Sequence, residues 1–437
     1  MRIYCKNIGM IEEAKINLSG LTVIAGENDT GKSTLGKLLF AIIKSFDTSD
    51  VEEIFIDDKI NIIRDHLSRA YFLARSNLDI DPDYTKTRLL LEVNSTISEE
   101  KKSEVKKEIM SDFMKTFDRS NKDIDNLTVK KLKKEYEKIA EKIVEKLAEN
   151  IQKERVCRYK FSKYLDSLFD GEINNKYRDD KAKVVIEEGK SQVLNINIVN
   201  NQPCENYSFK ELYIDEVTFL ESPMVLQMTE LINNARTVLD KKDKVGGLYR
   251  DQPIVNLHIK DLILKLRQPN AFDPEEVNIT EIIDGNMDYD EDESSFYLKK
   301  GGHRFKAINI ASGIKSFGII QMLLKKGFLK ERKLLILDEP EVNMHPKWQI
   351  EYARLLVKLV KETSAHVLIT SHSPYFIEGI KVFSDKYCLS NKTNFYLTEN
   401  NSNALDIKIS DVTGDLSKVF VKLTEPFKEL ERITIGD

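Results

Sequence analysis

The sequence predicts an α/β fold in which helices flank a mixed or parallel sheet and a compact helical insertion interrupts the chain. The first observation is a continuous apolar run, LTVIAG at residues 21–26, followed by a glycine-rich turn and a helix with apolar spacing. The second is a pair of later runs, KLLILD and HVLITS, which are typical of strands buried on both faces. The third is a change to charged, glycine-poor helical sequence between these two parts.

The remaining elements follow from periodicity. In the insertion, residues 128–152 carry apolar side chains at three- and four-residue steps, with Thr128 as the expected N-cap. AKVVIEEG, VLNINIV and EVTFL are predicted strands, and FYLKKGGHRFKAINI is a predicted hairpin. The predicted segments are residues 1–45 (N-terminal lobe of the main domain), 46–178 (helical insertion), 179–223 (β segment), 224–270 (helical segment) and 271–437 (C-terminal lobe).

Charge and cysteine content exclude several classes of protein. With 67 Lys and Arg against 72 Asp and Glu, the net charge of −5 argues against a uniformly basic nucleic-acid coat but leaves a local basic patch open. The four cysteines form no C-x-x-C pair, which predicts neither a disulfide framework nor a zinc site. No apolar stretch is long enough to span a bilayer, and the N-terminus lacks the apolar core of a signal peptide. We therefore expect a cytoplasmic protein without a membrane segment.

Two charged segments have competing interpretations. Basic and acidic residues alternate closely in the insertion, which favours a solvated helical face, with a DNA-contacting face as the alternative. The acidic run DGNMDYDEDE at residues 284–293 lacks the Gly and the final Glu that a calcium-binding loop requires. We predict a solvated loop for this run.

The turn after the first buried strand predicts a phosphate-binding loop. Residues 26–33, GENDTGKS, match G-x-x-x-x-G-K-[ST] between a strand and a helix. A phosphate chain needs converging backbone N–H groups and a helix N-terminus, with glycines where a Cβ would clash. Lys32 would neutralise the β- and γ-phosphates, and the Ser33 hydroxyl would be a Mg²⁺ ligand. The predicted nucleotide-binding residues of this loop are Gly26, Asn28, Asp29, Thr30, Gly31, Lys32, Ser33 and Thr34.

A pair of acids supplies the second half of the predicted site. Asp338 and Glu339 end the apolar run KLLILD, and we expect this strand to be the neighbour of the phosphate-loop strand. Asp338 would support Mg²⁺, and Glu339 would polarise an attacking water. The roughly 300 residues between Lys32 and Asp338 exceed what a compact βαβ core requires, which again indicates an insertion.

Three further strings identify a family resemblance. ASGIKS at residues 311–316 begins a helix, EPEVNMHP at 339–346 follows the acidic strand, and TSHSP at 370–374 ends the next strand. This order resembles the ABC-type ATPases of the SMC, RecF and OLD group, particularly the stand-alone ATPases of bacterial abortive-infection and anti-phage systems. The resemblance covers residues 1–45 and 300–380, and it implies ATP and Mg²⁺ as cofactors.

The resemblance also implies roles for individual residues. Ser312 and Gly313 would form the signature motif that reaches the γ-phosphate on a second subunit, so that ATP joins two copies. Lys315, where the family has Gln, would be either a phosphate contact or a solvated lysine. His372 would orient the γ-phosphate and the attacking water, with Lys32 and Glu339 as the other catalytic residues. His345 would pack at the subunit interface, and Gln227 is the candidate for the glutamine that senses the γ-phosphate in relatives.

Departures from the family narrow the expected function. The stretch after His372 is too short for the Toprim nuclease domain of OLD proteins, and the chain lacks the zinc hook of the break-repair ATPases. We expect a Mg²⁺-dependent ATPase that forms a homodimer or higher homo-oligomer and regulates a separate effector, a nuclease or toxin, in phage defence. The alternatives are a RecF-like repair ATPase that acts on DNA directly and a slow ATPase that sequesters a toxin. Nucleic acid stays open as a partner, and a membrane does not.

Overall fold

The computed structural model describes most of the chain as two compact units. One unit comprises Met1–Asp47 with Arg158–Asp437, and the other comprises Thr48–Cys157. We call them the sheet unit and the helical unit. The described residues are 1–47, 51–78, 97–118, 125–149, 153–176, 181–204, 208–235, 237, 244–245, 248–249, 255–271, 277, 279–400 and 406–435.

The sheet unit is built on one large mixed sheet. Within the described residues it contains twelve strands in the order β6-β5-β4-β1-β2-β17-β16-β3-β15-β14-β8, with β7 paired to β5. This arrangement confirms the predicted α/β fold with a mixed sheet. The strands are β1 Arg2–Ile8, β2 Ile11–Asn17, β3 Leu21–Ala25, β4 Ala182–Glu188, β5 Ser191–Val199, β6 Gln202–Pro203, β7 Ser208–Phe209, β8 Glu216–Leu220, β14 Lys333–Asp338, β15 His366–Ser371, β16 Thr393–Asn400 and β17 Ile407–Asp411.

Five adjacent strands form the parallel half of this sheet. Strand β3 pairs in parallel with β16 on one side and β15 on the other, and β14 joins β15 to β8, again in parallel. We expected the strand that carries the acidic pair, β14, to be the direct neighbour of β3. This prediction is wrong, because β15 lies between β3 and β14. Since all five strands point the same way, the carboxyl ends of β3, β15 and β14 meet at one edge.

Helices cover both faces of the parallel strands. Alternate side chains enter two different cores: Val23 and Leu335 face one, while Ile24 and Ile336 face the other. This double burial explains why the strands are continuous apolar runs. The helices of the sheet unit are α1 Lys32–Phe46, α5 Lys153–Phe169 (whose N-terminal residues precede the unit boundary), α6 Thr229–Asn234, α7 Leu257–Arg267, α8 Ile279–Ile283, α9 Ser312–Lys325, α10 Pro346–Thr363, α11 Pro374–Lys386, α12 Ser417–Leu423 and α13 Glu425–Ile435.

The helical unit contains α2 Val51–Leu78, α3 Lys102–Asp118 and α4 Asn126–Ala148. Its core is formed by buried side chains of all three helices, including Ile63, Phe113 and Tyr136. The unit ends at Cys157, whereas the predicted insertion runs to residue 178. The difference arises because the later part of α5 packs in the sheet unit, where Phe161 and Leu165 are buried in its core.

Helix α4 begins earlier than predicted. Its N-cap is Asp125, not Thr128, because the Asp125 carboxylate accepts hydrogen bonds of 2.7 Å from both the backbone N–H and the hydroxyl of Thr128. The helix ends at Ala148, and the predicted continuation to residues 151 and 152 lies outside the described residues.

Two other predictions meet a mixed outcome. The expected hairpin is present as β12 Ser295–Lys300 and β13 His303–Lys306. The acidic run before it is only partly a loop: its middle forms a third strand, β11 Asn286–Asp290, while residues 291–293 form an exposed turn. Among the described residues, no group of three or more His, Cys, Asp or Glu side chains could hold a metal ion.

The predicted helical segment 224–270 is interrupted; its described part contains a 3-10 helix, α6, α7 and the short strands β9 Lys244–Val245 and β10 Leu248–Tyr249.

The membrane prediction can be compared with the helices directly. No helix in the part of the chain that the structure describes combines the length and the apolarity that a bilayer crossing needs.

Candidate functional site

The loop between β3 and α1 depends on two glycines. A Cβ on Gly26 would lie 1.8 Å from Oγ1 of Thr398, which is shorter than any non-bonded contact. Gly31 has a φ of +71° in the left-handed region and is the N-cap of α1, where a Cβ would also lie 3.1 Å from Cγ1 of Ile11. Both positions therefore require glycine, for close approach at the first and for backbone conformation at the second.

Strand β16 supports the same loop from the side. Thr30 is buried; its hydroxyl donates to the carbonyl oxygen of Glu27 at 2.7 Å and accepts from the Thr398 hydroxyl at 2.9 Å. The local sequence pattern does not distinguish Thr398, because nothing in it shows that β16 lies beside β3. Of the other predicted loop residues, Asn28 and Asp29 are exposed and Thr34 is half-buried.

Lys32 is the most buried charge of the loop, with 4% of its surface exposed. Its Nζ donates to the carbonyl oxygen of Glu27 at 2.5 Å and lies 3.4 Å from Oε1 of Glu339. Both contacts are oxygen acceptors, so the ammonium group is held by interactions of the kind that phosphate oxygens can replace.

Ser33 and Asp338 come together although they belong to distant parts of the chain. The Ser33 hydroxyl donates to Oδ1 of Asp338 at 3.0 Å, and the Thr370 hydroxyl donates to the same oxygen at 2.5 Å. Burial raises the pKa of Asp338, while these two hydrogen bonds oppose the shift. The Ser33 hydroxyl and the Asp338 carboxylate supply hard oxygen atoms, the type of ligand that Mg²⁺ prefers. These two residues therefore fit a Mg²⁺ ion that is held at Ser33 and supported by Asp338.

Glu339 and His372 form the neighbouring pair. Nδ1 of His372 lies 3.2 Å from Oε1 of Glu339, close but without the alignment of a hydrogen bond. Glu339 adopts a φ of +47°, a conformation that costs a residue with a side chain on the order of 1 kcal/mol. Its backbone N–H donates to the carbonyl and hydroxyl oxygens of Thr370, which fixes the turn as β14 ends.

Ser312 and Gly313 lie at the start of α9, apart from this cluster. No hydrogen bond or ion pair recorded for the described residues joins either of them to Lys32, Ser33, Asp338, Glu339 or His372. The N-cap of α9 is Ala311, which has no side-chain oxygen to satisfy the first-turn N–H groups. Lys315 is 2% exposed, and burial lowers its pKa, so its solvated interpretation is wrong.

Two further predicted residues occupy other positions. His345 is exposed and caps α10, since its Nδ1 accepts from the backbone N–H of Lys347 at 3.2 Å. This contact caps the helix within its own chain, and the packing role at a subunit interface stays a prediction. The Gln227 amide donates to Sδ of Met224 at 3.4 Å, and no recorded contact within the described chain connects it with the cluster.

Glu221 is an acid that sequence analysis missed. It directly follows β8, and its charge contributes to the raised pKa of Asp338 after the larger effect of burial. Nε2 of the buried His258 lies 3.0 Å from Oε2 of Glu221, and this contact lowers the pKa of Glu221. The position of an acid right after the strand EVTFL is the signal that could have identified it.

The strand order and the glycine-dependent loop between β3 and α1 define a P-loop α/β fold. The loop lies at the carboxyl ends of the parallel strands. A family model described as the AAA ATPase domain matches residues 1–377. The chain therefore belongs to the AAA ATPase domain family, and ATP hydrolysis is its activity at that general level.

The chain is also similar to several solved structures, all at low identity. The SMC head domain from Thermotoga maritima is 11% identical with a TM-score of 0.35, covering 94% of this chain and 98% of that one. An SMC head bound to the C-winged helix domain of ScpA is 10% identical with a TM-score of 0.39, covering 95% and 98%. An ATP-binding cassette of an ABC transporter in its ADP conformation is 12% identical with a TM-score of 0.31, covering 100% of both. A search of curated proteins finds no match.

Proposed function

We propose that this chain binds Mg²⁺–ATP at residues 26–33 and hydrolyses it with Lys32, Glu339 and His372. The observation that carries the proposal is the convergence of three strand ends. Lys32 and Ser33 follow β3, Asp338 and Glu339 end β14, and His372 follows β15, with successive contacts of 3.0 to 3.4 Å. At this position Lys32 would contact phosphate, Ser33 and Asp338 would hold the metal ion, and Glu339 would activate water.

Phosphate binding relies on the loop and on the start of α1. The helix N-terminus presents N–H groups and a favourable dipole to an anion, and the Lys32 ammonium exchanges its contacts with Glu27 and Glu339 for phosphate oxygens. Ser33 and Asp338 would hold Mg²⁺, which neutralises developing charge on the phosphates. The release of Glu339 from Lys32 frees its carboxylate for the attacking water.

Water activation falls to Glu339 with the support of His372. The Glu339 carboxylate accepts a proton from the water as the water oxygen bonds to the γ-phosphorus and the bond from that phosphorus to the bridging oxygen breaks, which releases ADP. The His372 ring lies beside this carboxylate and is 40% exposed, so it can reach the phosphate while it orients Glu339. A residue held near the reacting atoms in this way lowers the entropic part of the barrier.

The second part of the proposal is that ATP joins two copies of the chain. Ser312 and Gly313 would contact the γ-phosphate bound by the other copy. The support is twofold: the resemblance, and the first-turn N–H groups of α9 that no side chain caps. A higher homo-oligomer would be built from such dimers.

The third part concerns the biological role. We propose that the ATP-dependent dimer regulates or scaffolds a separate effector protein, a nuclease or toxin, in bacterial anti-phage defence. The support is the resemblance of the strings at residues 311–316, 339–346 and 370–374 to the stand-alone ATPases of such systems. Identification of the neighbouring gene product and its co-purification with this chain would test this part, and a neighbour with a DNA-repair function would contradict it.

Glu339→Gln tests the catalytic proposal most directly. The amide keeps the shape of the side chain but cannot accept the proton, so we expect ATP binding and dimer to persist while turnover falls by about 100-fold or more. Size-exclusion chromatography with light scattering measures the dimer, and phosphate release measures turnover. Glu362→Gln, an exposed residue of α10, is the matched control. A Glu339→Gln variant that hydrolyses ATP at the normal rate would remove Glu339 from this role.

A further inference from the structure

A second glutamate lies behind the Glu339–His372 pair. Glu341 is 2% exposed, and its Oε1 accepts two hydrogen bonds, from the Ser371 hydroxyl at 2.5 Å and from the backbone N–H of His372 at 3.2 Å. Burial of a carboxylate costs free energy of folding unless hydrogen bonds compensate for the lost hydration. A buried carboxylate that bonds to the backbone of a site residue therefore calls for a structural or functional explanation.

The reason follows from where the pair originates. Glu339 follows β14 and His372 follows β15, so their 3.2 Å separation is set by two different segments. The parallel ladder aligns these strands as far as Asp338 and Thr370. Beyond that point the Glu339 backbone N–H still donates to Thr370, and the Glu341 carboxylate accepts from the backbone N–H of His372 itself, which ties His372 to the segment that carries Glu339.

A closed set of hydrogen bonds reinforces this link. The backbone N–H of Ser373 donates to the Ser371 hydroxyl at 3.1 Å, and the Ser373 hydroxyl donates to Oε1 of Gln349 at 2.5 Å. The Gln349 amide donates to the carbonyl oxygen of Met344 at 3.0 Å, which returns to the segment that contains Glu341. The residues on both sides of His372 are thus held to the segment that follows β14.

The second carboxylate oxygen of Glu341 has a different environment. Oε2 is buried and has no hydrogen-bond partner among the residues that the structure describes, and the same holds for the hydroxyl of Tyr352 on α10. Burial raises the pKa of Glu341, and it raises the pKa of Tyr352 as well, with the charge of Glu341 as a further cause. Burial thus favours the neutral form of this side chain, and glutamine, which is uncharged and has the same shape, is an informative replacement.

We propose that Glu341 is a positioning residue that holds His372 against Glu339 by accepting from the Ser371 hydroxyl and the His372 backbone N–H. It does not touch the reacting atoms, and it acts only through His372. The inference rests on the proposed function, because it assigns Glu341 a task in the same hydrolysis step. A displacement of His372 by an ångström would lower turnover by up to about 100-fold.

Glu341→Ala and Glu341→Gln, each with and without His372→Ala, test this inference. We expect Glu341→Ala to lower kcat by about 10- to 100-fold while the Kd for ATP changes less than about threefold. Glu341→Gln keeps an acceptor oxygen for both donors and should retain at least about a third of kcat. In the His372→Ala background, Glu341→Ala should lower kcat less than about twofold, because its effect passes through the missing ring.

Two results would overturn the inference: an equal loss of kcat for Glu341→Ala in both backgrounds, or a loss for Glu341→Gln as large as for Glu341→Ala. If Glu341→Ala does not fold, Ser371→Ala takes its place in the same cycle, since it removes one of the two donors. A Ser371→Ala effect that is independent of His372 would then count against the inference. Failure of the proposed function is distinguished by the wild-type protein, which would hydrolyse no ATP.

Discussion

The cluster at the ends of β3, β14 and β15 and the segment at the start of α9 differ in how complete they are. In the cluster, Lys32 contacts Glu339, and Ser33 contacts Asp338, at 3.4 Å and 3.0 Å. At the start of α9, Ala311 provides no side-chain cap, and Ser312 and Gly313 make no recorded hydrogen bond or ion pair with the cluster within the described chain. One region is preorganised by its own chain, and the other is not.

The two regions also differ in how many features they contain that are unfavourable for the free energy of folding. The cluster contains a buried lysine, a carboxyl whose pKa is raised by burial and a glutamate in the left-handed region. Such unfavourable features persist where the surrounding structure holds them, and they concentrate at functional sites. The start of α9 has ordinary backbone angles at its cap and carries only one such feature, the buried Lys315. We infer that the cluster is built to act on the phosphates, while α9 offers a surface for an anion on a second copy.

Asp338→Asn tests the cluster and should have an effect on hydrolysis as large as that of Glu339→Gln. Asparagine retains an oxygen for the Ser33 and Thr370 hydroxyls but loses the charge that supports Mg²⁺, so hydrolysis should fall by about 100-fold or more. Phosphate release with varied Mg²⁺ measures this loss. The Kd for ATP without Mg²⁺ should stay within about threefold.

The same variant has a predicted effect on stability that depends on pH. Because burial raises the folded-state pKa of Asp338 above 3.8, unfolding becomes more favourable as the pH rises from 3.8 through the folded-state pKa. Above that window the full cost of the buried charge applies, and the neutral asparagine side chain of the variant avoids it. The thermal midpoint of Asp338→Asn should therefore exceed that of the wild type at pH 7 and approach it below pH 4. A lower midpoint at pH 7 would contradict this account of the cluster.

Ser312→Arg tests the other region through complementation. A bulky side chain at the start of α9 should lower turnover by about tenfold, and Lys32→Ala should remove nucleotide binding at its own loop. A mixed dimer of the two variants contains one intact loop facing one intact α9. An equal mixture should therefore recover about a quarter of wild-type turnover. No recovery would mean that Ser312 acts within its own chain or not at all, and the comparison between the regions would fail.

Local patterns predicted much of the fold, because several elements are contiguous in sequence. The strand LTVIAG, the loop at residues 26–33 and helix α1 appear where expected, and KLLILD and HVLITS are buried strands. The strand in the middle of the acidic run was not predicted because its apolar content is low; it pairs with β12, and its Met287 is buried against α9. Asp125 was missed as a cap because Thr128, three residues on, also belongs to the residue types that N-caps favour and stands directly before the apolar repeat.

The supports of the site could not be predicted in the same way. Thr370 on β15 contacts Asp338, Thr398 on β16 contacts Thr30, and, besides burial, the charge of Glu221 after β8 raises the pKa of Asp338. The positions of these three residues depend on the order of their strands in the sheet. Sequence spacing does not encode this order, which is also why β15 was not expected between β3 and β14. The roles of Lys32, Ser33, Asp338, Glu339 and His372 stay predictions that the variants above address.

Lys422→Ala tests how far the cluster extends and has the smallest expected effect. Nζ of Lys422, on α12, lies 3.5 Å from Oε1 of Glu27 in the phosphate loop, and both side chains are substantially exposed. Exposed ion pairs contribute roughly 0 to 1 kcal/mol, so the KM for ATP should change by less than about fivefold, and added salt should reduce the difference. Lys418→Ala, an exposed residue of the same helix, should leave KM unchanged. A change of more than about tenfold for Lys422→Ala alone would place α12 within the nucleotide site, because a solvated pair with Glu27 cannot account for so large an effect.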